Sequence, residues 1–123
     1  MDVKVRNFRD LIAWQVSFEL AKRIYWAMES FRHLSTAGSQ AQMRRAHVSI
    51  ASNLAEGAGR STKKDFSSFV TIARGSLNEL QTQTLLSVKL GYLCSADAAQ
   101  LQALIDRLYG LLNGLRSPLN AQR

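Results

Sequence analysis

The chain has 123 residues, 46% of them hydrophobic, and a formal net charge of +7. This length suits one domain, spanning residues 1–123, that buries enough apolar surface to fold without covalent cross-links. The basic balance, with a pI near 10.2, favours polyanionic partners such as nucleic acid or an anionic lipid surface. The alternative is a soluble protein that is merely basic.

Cysteine content and hydropathy narrow the expected location. The single cysteine, Cys94, excludes an intrachain disulfide and is typical of a reducing compartment. The first residues lack the apolar run of a signal peptide, and no window approaches the ~20 consecutive apolar residues of a membrane span. We therefore expect a cytoplasmic protein with no membrane partner.

The first helix is predicted from about residue 8 to residue 31. Asn7 suits its N-cap, and Asp10 follows in the first turn, where a carboxylate is favourable. Apolar residues recur at alternating spacings of three and four, as on one face of a helix that packs on a core. This predicted core stripe consists of Leu11, Trp14, Phe18, Ala21, Tyr25 and Met28.

The second helix is predicted from about residue 39 to residue 57. Ser39 followed by Gln42 forms a capping box that opens the helix. Gly57 and Gly59 are natural terminators. The predicted core side of this helix consists of Met43, Ala46, Ile50 and Leu54.

The third and fourth helices are predicted from about residue 63 to 90 and from about residue 95 to 115. Thr62 and Asp65 open the third helix and Gly91 ends it. Ser95 caps the fourth. Gly75 indicates a close helix approach, within the subunit or between subunits, or else a tolerated glycine. The predicted core sides consist of Phe66, Phe69, Ala73, Leu77, Leu80, Thr84 and Val88 in the third helix, and of Leu101, Leu104, Leu108, Leu111 and Leu115 in the fourth.

No segment alternates with a period of two, so no strand is predicted. Four helices with short connections predict an all-α fold, an antiparallel up-down-up-down four-helix bundle. Such a topology brings the start of the first helix, the turn between the second and third, and the end of the fourth to one end of the bundle. We call this the basic end, because it collects half of the 16 Lys and Arg residues: Lys4, Arg6, Arg9, Arg60, Lys63, Lys64, Arg116 and Arg123.

The basic end is predicted to bind nucleic-acid phosphates. The N-terminus of the third helix also directs backbone N–H groups there, which favours bound anions. The alternative is a solvated, charged end without a ligand, since four carboxylates oppose the cations: Asp2, Asp10, Glu56 and Asp65. The predicted nucleic-acid contacts are Lys4, Arg6, Arg9, Arg60, Lys63 and Lys64.

A polar stripe borders the core side of the second helix. Ser49, Asn53 and Glu56 lie at i, i+4 and i+7, and a buried polar group without a hydrogen bond costs about 1–3 kcal/mol. We expect a Glu56–Arg60 ion pair, and a partly buried network that fixes helix register or a subunit contact. The residues assigned to this structural or interface network are Arg44, Arg45, Ser49, Asn53, Glu56 and Glu79.

No constellation of catalytic or metal-binding residues is evident in the sequence. His33, His47 and Cys94 do not match a metal-ligand pattern. The Gly-rich residues 57–64 follow a helix rather than a strand and are not a P-loop. His47 is expected to be a satisfied core or interface histidine, and Cys94 to be structural. We therefore expect a non-enzymatic protein that uses no metal and no cofactor.

Ordered motifs extend from the first helix to the start of the fourth. They are FRDLIAWQ at residues 8–15, QMRRAHVSI at 42–50, NLAEGAGR at 53–60, FSSF at 66–69, IARGSLNEL at 72–80 and LGYL at 90–93. Over about residues 8 to 115, the chain resembles the 23S rRNA intervening-sequence protein family, whose members are often called simply four helix bundle proteins. The family's usual Asn-Ile-Ala-Glu-Gly has Leu54 in place of Ile here.

The resemblance implies an up-down four-helix bundle that assembles as a homopentamer, in the bacterial cytoplasm and without known catalysis. A similar fold occurs in the accessory proteins of diversity-generating retroelements, which are basic pentamers that bind nucleic acid and a reverse transcriptase. By analogy, this favours binding of RNA or DNA here. The leading hypothesis is thus a non-enzymatic, oligomeric nucleic-acid-binding protein, for structured RNA, whose copies present a ring of basic ends.

Sequence-specific readout is not expected, because the aromatic residues are predicted to lie mostly in the core rather than on a stacking surface. Trp26 and Tyr92 are the exceptions, and interface packing is expected for both. The rival hypothesis is a homo-oligomeric protein-interaction scaffold whose charge serves only solubility.

Overall fold

A computed structural model describes residues 7–31 and 37–116. A short 3-10 helix at Phe8–Asp10 precedes four α-helices: α1 at Ile12–Phe31, α2 at Ala37–Ala58, α3 at Lys63–Lys89 and α4 at Ser95–Arg116. The described ranges contain no strand. The all-α prediction is confirmed.

Neighbouring helices run antiparallel, as cross-helix contacts show. Between α2 and α3, the hydroxyl oxygens of Ser49 and Ser76 lie 2.8 Å apart, whereas the earlier Met43 contacts the later Ser87. The same reversal holds between α3 and α4, where Arg74 bonds Asn113 and Gln81 bonds Gln102. Helix α1 packs against α2 and α4 and closes the four-helix arrangement. The up-down-up-down topology therefore places both ends of the described chain at the basic end.

The predicted core side of α2 is confirmed. Met43, Ala46, Ile50 and Leu54 are all buried, and burial of such side chains contributes roughly 1.5–3 kcal/mol for each large one. The prediction succeeded because the apolar periodicity of α2 indicates one face of the helix, and that face is the one that packs in the core.

The predicted core stripe of α1 is largely wrong. Leu11 and Met28 are buried, but Trp14 is half-buried, and Phe18 and Tyr25 are 50% and 51% exposed. The helix carries two apolar faces with helical spacing, and its smaller aliphatic face enters the core while the aromatic face points outward. The core side of α1 consists of Leu11, Ala13, Val16, Leu20, Ile24, Ala27 and Met28.

The core sides of α3 and α4 are rotated slightly from the prediction. In α3, Val88 is exposed, and Phe66 and Phe69 are half-buried, while Val70 and Ser87 are buried. In α4, Leu101 and Leu108 are buried as predicted, whereas Ile105 and Leu112 replace three leucines that are only half-buried: Leu104, Leu111 and Leu115.

Several helix ends differ from the predicted ones. The first helix does not start at Phe8, because Leu11 is extended (φ −76°, ψ 119°) and separates the 3-10 helix, capped by Asn7, from α1. Helix α2 starts two residues before Ser39, which is therefore not its cap. Helix α4 starts at Ser95 itself, so the cap falls one residue earlier.

The predicted ends of α3 are confirmed. The Thr62 hydroxyl accepts a hydrogen bond from the backbone N–H of Asp65 at 3.1 Å, which satisfies a donor that the helix leaves free. Gly91 has a φ of +78°, a left-handed conformation that glycine adopts without the steric cost of a Cβ.

Two helical glycines have opposite surroundings. A Cβ added to Gly57 would lie 2.7 Å from the Cβ of Phe69, so α2 and α3 approach closely here, and Gly57 serves packing more than termination. A Cβ added to Gly75 would meet nothing within 4 Å. The close approach predicted at Gly75 is therefore absent within the subunit.

Candidate nucleic-acid interface

The basic end brings together cations from three separate parts of the chain. Arg9 lies on the 3-10 helix, Lys63 and Lys64 start α3, and Arg116 ends α4, all with exposed side chains. Arg60, in the turn between α2 and α3, joins them. The other predicted members lie outside the described residues: Lys4, Arg6 and Arg123.

Backbone contacts hold Arg9 in place. The Asn7 side chain accepts a hydrogen bond from the Arg9 backbone N–H at 2.9 Å. Gln15 on α1 donates one to the Arg9 carbonyl at 2.8 Å. The Arg9 guanidinium lies 5.4 Å from the centre of the Phe8 ring, within cation–π distance. The 3-10 helix thus presents this cation from a fixed backbone.

Arg60 is the one described cation of this end that forms an ion pair with a described carboxylate. Its Nη2 lies 2.9 Å from Oε2 of Glu56, as predicted, and its guanidinium lies 4.9 Å from the centre of the Phe69 ring. Both partners are exposed, and such a pair contributes only about 0.2–0.5 kcal/mol. A phosphate can therefore compete with Glu56 for Arg60. Three described carboxylates remain near this end: Asp10, Glu56 and Asp65.

The predicted polar network divides into two parts. Asn53 donates from Nδ2 to the Ser49 carbonyl at 2.8 Å and to its hydroxyl at 3.1 Å. Ser49 in turn meets Ser76 of α3. Glu56 is exposed and pairs with Arg60 instead, with no described contact to Asn53. The half-buried hydroxyl–amide cluster thus joins α2 to α3, while the ion pair lies on the surface.

The remaining network residues line an open groove of about 750 Å³ between α2 and α3. Ser49 and Ser76 lie between the exposed side chains of Arg45 and Glu79, and Val48 adds an apolar wall. The Arg44 guanidinium lies 5.3 Å from the centre of the Tyr25 ring on α1, so it reaches away from Glu56. The groove combines both charges with apolar surface.

His47 is buried, as expected, but not satisfied. Its side chain is 1% exposed, and neither Nδ1 nor Nε2 has a hydrogen-bond partner among residues 7–31 and 37–116. Its ring packs edge-on against Tyr25, with centroids 5.8 Å apart. Burial, reinforced by the positive charge of Arg44, lowers the pKa of His47 from 6.5 to about 4. The imidazole is therefore a neutral core side chain at physiological pH.

The sequence prediction placed Phe18 and Tyr25 in the core, but both are half exposed. Trp26, which the prediction set apart from the core aromatics, is 63% exposed. Two cations lie over these rings: Lys22 lies 5.6 Å from the centre of Trp26, and Arg44 covers Tyr25. The second apolar periodicity of α1 was the available signal, but periodicity alone does not say which face is buried.

The structure also gives the positions of three other residues that the sequence analysis discussed: Gly57, Cys94 and Tyr92. Gly57 lies inside α2, so the Gly-rich residues follow a helix as predicted. Cys94 is exposed before α4, so it does not pack in the core. Tyr92 is half-buried against the core. Within the described ranges, no helix has the length and hydrophobicity of a membrane span.

The fold and the cationic end define a basic, all-α four-helix-bundle protein. The family model of the 23S rRNA-intervening sequence proteins matches residues 9–114. The chain belongs to this family.

A solved structure supports the same fold. It is a protein of unknown function from the S23 ribosomal protein family of Bacteroides thetaiotaomicron VPI-5482, determined at 1.70 Å resolution. It superposes with a TM-score of 0.78 at 20% sequence identity, over 85% of this chain and 98% of that one. No protein of curated function matches the chain significantly.

Proposed function

We propose that this protein is a non-enzymatic nucleic-acid-binding protein that contacts structured RNA through its basic end. The supporting observation is the convergence of Arg9, Lys63, Lys64 and Arg116, none of which forms an ion pair with a described residue. Clustered cations bind a phosphate backbone largely by releasing its condensed counterions. Because these side chains come from three segments of the chain, the cations are spread over the basic end, as contact with a nucleic-acid phosphate backbone requires.

Assembly into a homo-oligomer is part of this proposal. Large apolar residues are exposed on α3, and monomeric proteins rarely expose large contiguous apolar patches. These α3 residues are Ile72, Leu85, Leu86, Val88 and Leu90. The family resemblance implies five subunits. Repetition of the basic end in one assembly would raise its avidity for a long polyanion without any new contact.

The test is a titration of a labelled RNA hairpin, followed by fluorescence anisotropy at about 50 and about 200 mM salt. The variant replaces Arg60, Lys63 and Lys64 with glutamine. Affinity should fall at low salt, and the slope of log K against log salt should become shallower by up to about three, one for each phosphate that the variant no longer binds. A control with the same charge change replaces three exposed cations elsewhere: Arg45, Lys89 and Arg107.

Equal losses of affinity in the variant and the control would show that only net charge matters and would contradict a localised site. Light scattering on both proteins establishes the subunit number and whether it survives the substitutions. A monomeric wild-type protein would refute the assembly proposal.

The alternative function is a protein-interaction scaffold. The groove of about 750 Å³ between α2 and α3, with the exposed α3 residues beside it, favours this alternative. An assembled wild-type protein that binds no RNA at low salt would favour the scaffold over the nucleic-acid proposal.

A further inference from the structure

The outward side of α1 carries aromatic rings where a surface helix normally carries polar side chains. Phe18, Tyr25 and Trp26 are each at least half exposed. Phe18 and Tyr25 lie in line, seven residues apart, whereas Trp26 lies about 100° further round the helix. Tyr25 borders α2 and Trp26 borders α4. None of these rings is needed to fill the core, which the opposite face of α1 supplies with aliphatic side chains.

Cations accompany two of these rings. Lys22 lies over Trp26, and Arg44 reaches from α2 to lie over Tyr25. Glu19 engages both Lys22 and Arg23 in ion pairs, at 3.3 and 3.0 Å. The Arg23 hydrogen bond, followed by that of Lys22, lowers the pKa of Glu19, so this carboxylate is charged and already paired. The surface therefore combines stacking faces with positive charge.

A recess beside Trp26 adds polar groups. It has a volume of about 160 Å³, room for about five water molecules, and is too small for a drug-sized ligand. Arg23 donates from Nη1 to Oε1 of Gln100 on α4 at 2.9 Å, which fixes the rim between the two helices. Donors and acceptors thus lie at the edge of an exposed ring. The recess is lined by Arg23, Trp26, Ala27, Asp97, Gln100 and Leu101.

We propose that this aromatic face of α1 stacks the unpaired bases of single-stranded nucleic acid, with one base on Trp26 and its edge in the adjacent recess. The inference rests on the proposed function. It adds that single-stranded nucleic acid is the ligand of a second surface, separate from the basic end. Proteins that bind single strands combine aromatic stacking faces with nearby cations in this way. The cations over the rings, Lys22 and Arg44, favour a polyanion over the same face of a second copy, because like charges that face each other across an interface are destabilising.

The experiment compares two probes with the same phosphate charge. One is an oligouridine of about 12 nucleotides, within the site sizes of single-strand binders, and the other is an abasic strand of equal length. A Trp14→Phe background leaves Trp26 as the remaining tryptophan, since the chain has two. Oligouridine should quench its fluorescence and bind more tightly than the abasic strand, which should cause little quenching.

Trp26→Ala should weaken oligouridine binding about 5- to 100-fold, as loss of one stacked base does, and leave abasic-strand binding unchanged. Trp26→Phe keeps a stacking ring and should retain most of the affinity. The matched control is Ile12→Ala, which removes an exposed apolar side chain from the start of α1 and should have no effect. Circular dichroism confirms that each variant is folded.

Equal binding of the two strands by the wild-type protein, or equal effects of Trp26→Ala and Ile12→Ala, would overturn the inference. So would a change of subunit number in Trp26→Ala, which would make this face a subunit contact. The two proposals can also fail separately. If neutralising Arg60, Lys63 and Lys64 abolishes hairpin binding while Trp26→Ala changes no affinity, the proposed function at the basic end is supported and the aromatic site is refuted. If the wild-type protein binds neither the hairpin nor the single strand, both the proposed function and the aromatic site are refuted.

Discussion

Replacing Gly57 by alanine tests how closely α2 and α3 approach. The new Cβ would lie 2.7 Å from Cβ of Phe69 and 3.2 Å from Cδ1 of Phe66, where ordinary contacts are 3.4–4 Å. Phe69 Cβ is attached directly to the backbone of α3, so no rotamer change relieves the contact, and the helices must separate by roughly 1 Å. Overpacking of this kind typically costs about 1–3 kcal/mol.

Gly75→Ala provides the matched control. Both glycines have negative φ. Alanine gains about 1 kcal/mol of helix propensity at Gly75 in mid-helix and less at Gly57, the next-to-last residue of α2. Only the alanine at position 57 meets a neighbour within the subunit. We therefore expect overpacking to make Gly57→Ala less stable than Gly75→Ala by about 1–3 kcal/mol, and the smaller propensity gain at position 57 acts in the same direction.

Urea denaturation followed by circular dichroism measures both free energies of unfolding, with light scattering on the same samples. Equal stabilities of the two variants would refute the close helix approach at Gly57. If Gly75→Ala instead lowers stability and subunit number together, Gly75 lies at a contact between subunits. Gly110→Ala, whose Cβ also meets nothing within 4 Å, then serves as the control.

Two further predictions concern buried polar groups. Because the pKa of folded His47 is about 4, below its ordinary 6.5, the unfolded chain binds the proton first. The contribution of His47 to stability is thus complete above pH 6.5 and is lost as the pH falls towards 4, by about 3 kcal/mol at ~1.36 kcal/mol per pH unit. Urea titrations of wild type and His47→Phe should show this slope between about pH 6.5 and 5.5 in the wild type and a flatter one in the variant, and parallel slopes would contradict it. Ser49→Ala should cost about 0.5–1.5 kcal/mol, because the half-buried Ser76 and Asn53 lose the Ser49 hydroxyl while Asn53 keeps the Ser49 carbonyl, whereas the Ser49→Ala/Ser76→Ala double variant should lose less than the sum of the single ones. Strict additivity in that double-mutant cycle would show that the two hydroxyls are not coupled.

The fold class, the antiparallel topology and the core side of α2 could all be predicted from the amino-acid sequence. These follow from local patterns: helical periodicity, the Thr62 cap, and the left-handed turn at Gly91. With short connections, four such helices have few ways to bury their apolar faces. The Glu56–Arg60 pair was equally accessible, because i, i+4 residues are neighbours on any helix.

Which of the two apolar faces of α1 enters the core depends on packing between helices and could not be predicted from the sequence. Hydrophobic periodicity locates a face but does not rank two of them, and the choice depends on how the side chains of α2 and α4 fill the space between helices. Leu20 and Ile24 fit there, and Phe18, Tyr25 and Trp26 remain outside. The unsatisfied state of His47 and the packing role of Gly57 also arise from contacts between helices that are distant in sequence, which no local pattern encodes.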